Sequence, residues 1–378
     1  MVQKRLPAVF MRGGSSKGVF FHAKDLPNNR DEQDRIFLSV LGSPDPYGRQ
    51  LNGMGGGISS LSKAVMIGPS SKPNADIDYT FAQVSVRDAL VDYSSNCGNL
   101  SSAVGPFSID SGLLKSCGNS MEVVIHNTNT KKLIRSTIPL VDGCARVTGD
   151  FSIPGVSGTG AQIRLDFLDP GGTRTGSLLP TGNTIDTLSI PGQGNFDVSL
   201  VDASVPCAFI EAKALGLSGA ETINELETDQ KLMGLVECLR IAAGIKMGLG
   251  KSAEEIPPTA PKFGIVAPSQ RYKTLSGEII DPTKASLTTR IWSMGQVHRV
   301  LPLTGAMCLA VACRIPGTIC EQISNHDESG IKLANPSGIL PLDAVVDIEE
   351  GVIKAKYVTA FRTARTLMEG NILIPCDI

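Results

Sequence analysis

The stretch Ser94-Ser95-Asn96-Cys97-Gly98-Asn99-Leu100-Ser101-Ser102-Ala103-Val104-Gly105 decides the fold, because a polar loop there passes straight into a helix of small residues. A second stretch of the same kind, Thr304-Gly305-Ala306-Met307-Cys308-Leu309-Ala310-Val311-Ala312-Cys313-Arg314, is stopped near Pro316. Each follows a strand-like segment. Two chain halves, each with strands around a small-residue helix, predict a duplicated α/β unit, although residue-level repetition is faint.

Working outward, short runs rich in Val, Ile, Phe and Thr lie between dense Gly and Pro: 6–11, 19–22, 64–67, 77–91 and 121–127, then 161–167, 195–212, 262–267 and 287–293. These are strand signals. In Ile77-Asp78-Tyr79-Thr80-Phe81-Ala82 the apolar residues alternate, as a half-buried strand requires. Helical periodicity is clearest over 228–250, where Leu232, Leu235, Val236, Leu239, Ala242 and Ala243 share one stripe and Gly250 stands ready to end it. The Pro/Gly/Thr-rich passage 169–183 reads as the connection between halves, which places the boundary near residue 185 and predicts domains 1–185 and 186–370.

Composition narrows the function classes. A chain of 378 residues with 42% hydrophobic and 19% charged residues is an ordinary globule with room for two cores. Net charge is −2 and no Lys/Arg block occurs, so nucleic acid is not an expected partner. Nine cysteines without CxxC pairs argue against a disulfide framework or a cysteine zinc site, and four isolated histidines argue against a metal centre. No run approaches the roughly 20 apolar residues of a membrane span. The expected setting is the cytoplasm, with no membrane partner and with a homodimer left open as the assembly.

Cys97 holds the chemistry that the opening stretch suggests. A thiol at the start of a helix feels its positive end and unpaired N–H groups, which favour thiolate and suit proton transfer. The same N–H groups can hold a carboxylate or a developing enolate oxygen. Arg12-Gly13-Gly14-Ser15-Ser16-Lys17-Gly18 sets two cations and two hydroxyls in a glycine-rich loop, a composition fit for an anion. In Gly53-Met54-Gly55-Gly56-Gly57-Ile58-Ser59-Ser60-Leu61-Ser62-Lys63, glycines and hydroxyls precede a lysine that enters an apolar run, where Lys63 can act as a base or stay charged beside a polyanion. His298-Arg299, just before Leu303-Thr304-Gly305, brings a cation to the second small-residue helix.

Four passages taken together, Met11 to Gly18, Gly55 to Lys63, Asn96 to Asn99, and Leu178-Leu179-Pro180-Thr181-Gly182-Asn183, resemble the PrpF-type methylaconitate isomerase family in order along the chain. The resemblance implies a diaminopimelate epimerase-like fold in the α/β (α+β) class: two similar domains, each a curled mixed β-sheet around a central helix. It also implies that the C-terminal segment, here 371–378, returns to the first domain. The activity implied is isomerisation of unsaturated di- and tricarboxylic acids without a cofactor. Carried over by motif, Lys63 and Cys97 are the catalytic pair. Arg12, Ser15, Ser16, Lys17, Gly56, Gly57, Ser59, Ser60, Asn96, Gly98, Asn99, Arg299, Thr304 and Gly305 are the expected substrate-binding residues. Leu303-Thr304-Gly305-Ala306 has no cysteine where epimerases of this fold carry a second thiol, which favours a Lys/Cys arrangement over two thiols. The expected reaction is allylic proton abstraction and reprotonation through a dienolate, on aconitate or 2-methylaconitate. Alternatives are an oxalomesaconate-type keto-enol tautomerase and a non-catalytic polycarboxylate binder.

Overall fold

The computed structural model describes residues 3–94, 96–325 and 330–376, so Ser95 of the opening stretch lies outside the described residues. Its longer strands are, in chain order, β1 (Gln3–Gly13), β2 (Ser16–His22), β3 (Lys63–Pro69), β4 (Ile77–Val84), β5 (Ser120–Asn127), β6 (Leu133–Val141), β7 (Ile163–Leu168), β8 (Asp186–Ile190), β9 (Gly194–Ala203), β10 (Val205–Glu211), β11 (Lys262–Pro268), β12 (Leu287–Ser293), β13 (Ile331–Asn335), β14 (Gly338–Glu349), β15 (Val352–Arg362) and β16 (Ala364–Pro375). The helices are α1 (Arg30–Leu41), α2 (Ser101–Asp110), α3 (Ile223–Thr228), α4 (Gln230–Lys246), α5 (Leu303–Ala312) and α6 (Ile319–Ile323).

The chain divides into two compact units, Met1–Phe167 with Phe361–Ile378, and Leu168–Ala360. In the first, the strand order is β16-β1-β2-β3-β4-β5-β6-β7, with β2–β3 and β4–β5 parallel and every other pair antiparallel. In the second, the order is β8-β9-β10-β11-β12-β13-β14-β15, with β10–β11 and β12–β13 parallel and the rest antiparallel. One arrangement therefore occurs twice, and β16 occupies in the first unit the place that β8 holds in the second. By the same order β3 corresponds to β11 and α2 to α5.

Each unit has a small-residue helix on one face of its sheet and an amphipathic helix on the other. Strand alternation divides the side chains between them. In β2, Val19 and Phe21 join Ile36, Phe37, Val40 and Leu41 of α1 in one core, while Phe20 turns to the other face and meets Phe107 of α2 with ring centroids 5.8 Å apart. Asn29 caps α1 by accepting the Glu32 N–H at 3.1 Å. In the second unit, Leu232, Val236, Leu239 and Ala243 of α4 pack on Leu200, Ile210, Phe263 and Ile265. The helices α2 and α5 are buried almost end to end, with only Asp110 exposed and Thr304 half-buried. Small side chains are the condition for that enclosure: a methyl group on Gly105 would stand 2.6 Å from Ile138 Cδ1 of β6.

Several boundaries differ from the sequence reading. The change of unit falls at Phe167/Leu168 instead of 185, and the return begins at Phe361 instead of 371. The cause of the first is Asp202 of β9, fully buried, whose carboxylate accepts the N–H groups of Arg174 and Thr175 at 2.8 Å each and the hydroxyls of Thr173 and Thr175. Gly172 N–H also donates to the Asp202 carbonyl, so the 169–183 passage folds onto the second unit. The cause of the second is register: β16 pairs with β1 from Gly13↔Ala364 to Gln3↔Pro375, so the whole strand belongs to the first unit. The run 195–212 is two antiparallel strands joined at Ser204, and α4 stops at Lys246, before Gly248 with φ +77°, not at Gly250. Among the described residues no helix is long and apolar enough to cross a membrane.

Replacing Asp202 by Ala removes the acceptor for four donors of the 169–183 loop. Each donor stranded away from water costs about 1–3 kcal/mol. The variant is expected to lose at least about 2 kcal/mol in denaturant unfolding and to become open to protease cleavage between residues 172 and 182.

Candidate active site

Alternation along β3 and β4 sends Lys63, Tyr79, Phe81 and Gln83 to the face that carries α2, since their neighbours Ala64, Met66, Ala82 and Val84 belong to the α1 core. Lys63 is 7% exposed. Its Nζ donates to Gln83 Oε1 at 2.6 Å and lies 4.8 Å from the centroid of the Phe81 ring. Gln83 Nε2 donates to the carbonyls of Ser59 and Ser62, at 3.1 and 2.9 Å, which turns the amide oxygen towards the lysine. The lysine thus enters the interior beside a neutral acceptor and an aromatic face, and among the described residues no carboxylate forms an ion pair with it.

Cys97, 8% exposed, sits in the turn that leads into α2. Leu100 N–H donates to its Sγ at 3.5 Å, and its carbonyl accepts from Ser101 N–H at 3.0 Å and Ser101 Oγ at 3.0 Å. Tyr79, wholly buried, donates its hydroxyl to the same carbonyl at 3.4 Å; burial pushes the phenol well above its usual range, so it stays a donor. Asn96 Oδ1 accepts from Asn127 Nδ2 at 2.9 Å, which fastens the turn to the end of β5. Gly18 lies between Lys63 and Leu100, the residue before α2: a methyl group there would stand 2.9 Å from the Lys63 carbonyl and 3.0 Å from Leu100 Cδ1. Lys63 and Cys97 therefore share one face of one unit.

The loop after β1 is divided. Gly13 faces α2, where a methyl group would lie 2.8 Å from the Asn99 carbonyl and 3.1 Å from Ala103 Cβ. Gly14, at φ +53°, would put one 2.4 Å from Asn99 Oδ1. Arg12 and its cross-strand partner Lys17 leave the sheet on the opposite face, and Lys17 Nζ lies 5.6 Å from the ring of Phe10. Arg12 Nη1 donates to the carbonyls of Gly14 and Thr363 at 2.9 and 3.0 Å, and burial followed by nearby Arg365 lowers its pKa. The two cations expected to meet the substrate thus start away from α2. Ser16 is buried and Ser15 exposed. In the 53–62 segment Gly57 N–H donates to Gln50 Oε1 at 3.0 Å, and Gln50 Nε2 reaches Ser62 Oγ at 2.7 Å, so Gly55 and Gly57 wrap a buried glutamine while Gly56 lies against Leu61. Ser59 contributes its carbonyl to Gln83, and Ser60 is half-buried.

Arg299, Thr304 and Gly305 belong to the second unit, where Arg299 is exposed and Thr304 half-buried at the start of α5. The internal repeat adds a residue the sequence reading passed over. Lys262 opens β11 as Lys63 opens β3, and its Nζ donates to Ser293 Oγ at 2.8 Å much as Lys63 donates to Gln83. Gly305 leaves room for it, since a methyl group would lie 3.2 Å from Lys262 Cδ. Burial lowers the pKa of Lys262, and burial together with Lys262 lowers that of His298.

Gln83 and Arg362 were also missed. The alternation of Tyr79 and Phe81, continued by two residues, leads to Gln83. Nothing local signals Arg362, whose Nε donates to Asn99 Oδ1 at 3.1 Å across 263 positions of chain.

Comparison with known proteins follows this geometry. The family model described as "PrpF protein" matches residues 3–375. The chain is 40% identical to the 3-methylitaconate isomerase of Eubacterium barkeri, with 98% of each chain covered. It is 37% identical to the 2-methyl-aconitate isomerase of Shewanella oneidensis, covering 99% of this chain and 98% of the relative. Among solved structures, a methylitaconate-delta-isomerase superposes with a TM-score of 0.92 at 38% identity, covering 99% and 97% of the two chains. A hydroxyproline epimerase from Agrobacterium vitis, at 12% identity, TM-score 0.53 and coverage of 99% and 93%, shares the fold.

Gly18→Ala tests the close approach beneath both candidate residues. Overpacking of this kind costs about 1–3 kcal/mol. A lowered melting temperature together with reduced turnover is expected, and an unchanged melting temperature would contradict the contact.

Proposed function

The chain belongs to the PrpF family and is an isomerase of unsaturated carboxylic acids, and from that premise we propose that it moves an allylic proton of aconitate or 2-methylaconitate between Lys63 and Cys97 with this chain's own groups. The observation that carries this reading is the shared face: a lysine held by a neutral amide and a thiol at the entrance to a buried helix, with Gly18 in contact with both surroundings.

One of the pair removes a proton from the carbon allylic to the C=C bond, and the charge spreads onto a carboxylate as a dienolate. Reprotonation at another carbon shifts the double bond; reprotonation after rotation about a C–C bond changes its geometry. A methylene beside ionised carboxylates is a very weak carbon acid, so holding the dienolate is the demanding step. A positively charged side chain placed where that charge develops lowers this cost. When the amine of Lys63 is neutral, giving one N–H to Gln83 turns its lone pair away from the amide and leaves it free for the substrate proton. In this reading one group abstracts the proton and the other delivers it.

General acid–base groups contribute about 10² to 10⁴-fold each. Conversion of aconitate, 2-methylaconitate, 3-methylitaconate and oxalomesaconate followed by proton NMR in D₂O is therefore expected to show deuterium entering the product with the unaltered enzyme. Lys63→Ala and Cys97→Ser should each lower kcat at least about 100-fold. Undiminished turnover in both variants would remove the pair from the mechanism.

A further inference from the structure

We propose that Arg362 binds a carboxylate of the substrate on the α2 face of the first unit, a role that sequence alone assigned to Arg12 and Lys17. The proposal deepens the polycarboxylate reading above and rests on it.

Arg362 is 6% exposed, yet its partners are neutral: Asn99 Oδ1, which accepts from Nε at 3.1 Å, and the Phe361 carbonyl, which accepts from Nη1 at 2.8 Å. Burial brings its pKa down to about 10, and among the described residues it forms no ion pair. A guanidinium taken out of water without a counter-charge is costly, and proteins keep such a group where an anion arrives to complete it. The planar fork still has donors to give. Nη2 has no partner among the described residues, and it is not one of the polar atoms sealed from solvent without one. With the second N–H of Nη1 it offers the paired donors that match a carboxylate.

The surroundings make room for this contact. Asn99 lies two residues after Cys97, so the bond to its side chain fixes the guanidinium beside the thiol's turn. Gly14 leaves the Arg362–Asn99 pair open, since a methyl group there would stand 2.4 Å from Asn99 Oδ1 and 3.1 Å from Arg362 Cδ. Arg12, by contrast, spends Nη1 on backbone carbonyls, one of them that of Thr363, and so braces the residue next to Arg362. The cation on the side of Lys63 and Cys97 comes from the returning C-terminal segment.

Tricarballylate, a saturated tricarboxylate with no double bond to move, probes binding apart from turnover. Calorimetry is expected to show at least tenfold weaker binding to Arg362→Lys and to Arg362→Gln than to the unaltered protein, with KM for the unsaturated acids rising in parallel. In the unaltered protein labelled with ¹⁵N-arginine, the Arg362 Nε–H resonance is expected to shift on adding tricarballylate, a readout that does not depend on either variant folding. Equal affinity in folded variants, no movement of that resonance, or no binding of tricarballylate at all would overturn the proposal. Binding that depends on Arg362 in a protein that incorporates no deuterium into any of the four acids would uphold it while refuting the isomerisation reading.

Discussion

A helix that is buried on every side constrains everything around it. It has no solvent face on which to spend large or charged side chains, so its residues must be small, and its first N–H groups must find acceptors in the turn that precedes it. In α2 those acceptors include the sulfur and carbonyl of Cys97 and the carbonyl of Asn99. The same close packing that leaves only Ser, Ala, Val and Gly over the first five residues of the helix, 101–105, brings the loop glycines Gly13, Gly14 and Gly18 against its entrance. The placing of the thiol and the tight core are consequences of one packing problem.

The internal repeat shows what each unit needs and what is particular to one of them. Both keep the sheet order, the enclosed helix, the amphipathic helix on the outer face, and a lysine at the head of the fourth strand in the repeated order, β3 or β11. They differ at the entrance to the helix. In the first unit a thiol stands there, and in the second Pro302 is the residue that precedes α5. Three cysteines in and after α5 serve as apolar matter instead: Cys308, Cys313 and Cys320 are buried, and burial drives their thiols upward, away from the ionised form.

Much of this was legible in the amino-acid order. Short β-branched runs located most strands of the first unit, and the two small-residue stretches located both central helices, because alternation and side-chain volume are local properties. Features set by distant pairing were not legible. Helix α1 was overlooked because its apolar positions, Ile36, Phe37, Val40 and Leu41, occupy only the second half of a charged segment. The boundary was misplaced because a glycine-rich passage looks like a linker until Asp202 gathers its donors. Arg12 and Lys17 were judged by composition, and only the pairing of β1 with β2 and the contact of Gly13 with α2 reveal which face they leave. Arg362 has no sequence signal at all, since its neighbour in space is far away in the chain.

The exchange of β16 for β8 also governs the order in which the protein can assemble on the ribosome. The strands of the second unit are contiguous, so that unit has all its parts as soon as β15 has emerged. The first unit, although synthesised earlier, keeps β1 as an open edge until the last strand to be translated arrives to pair with it. The half that carries Cys97 is therefore completed only after the other, and a nascent chain that has not yet made β16 presents β1 as an unpaired strand.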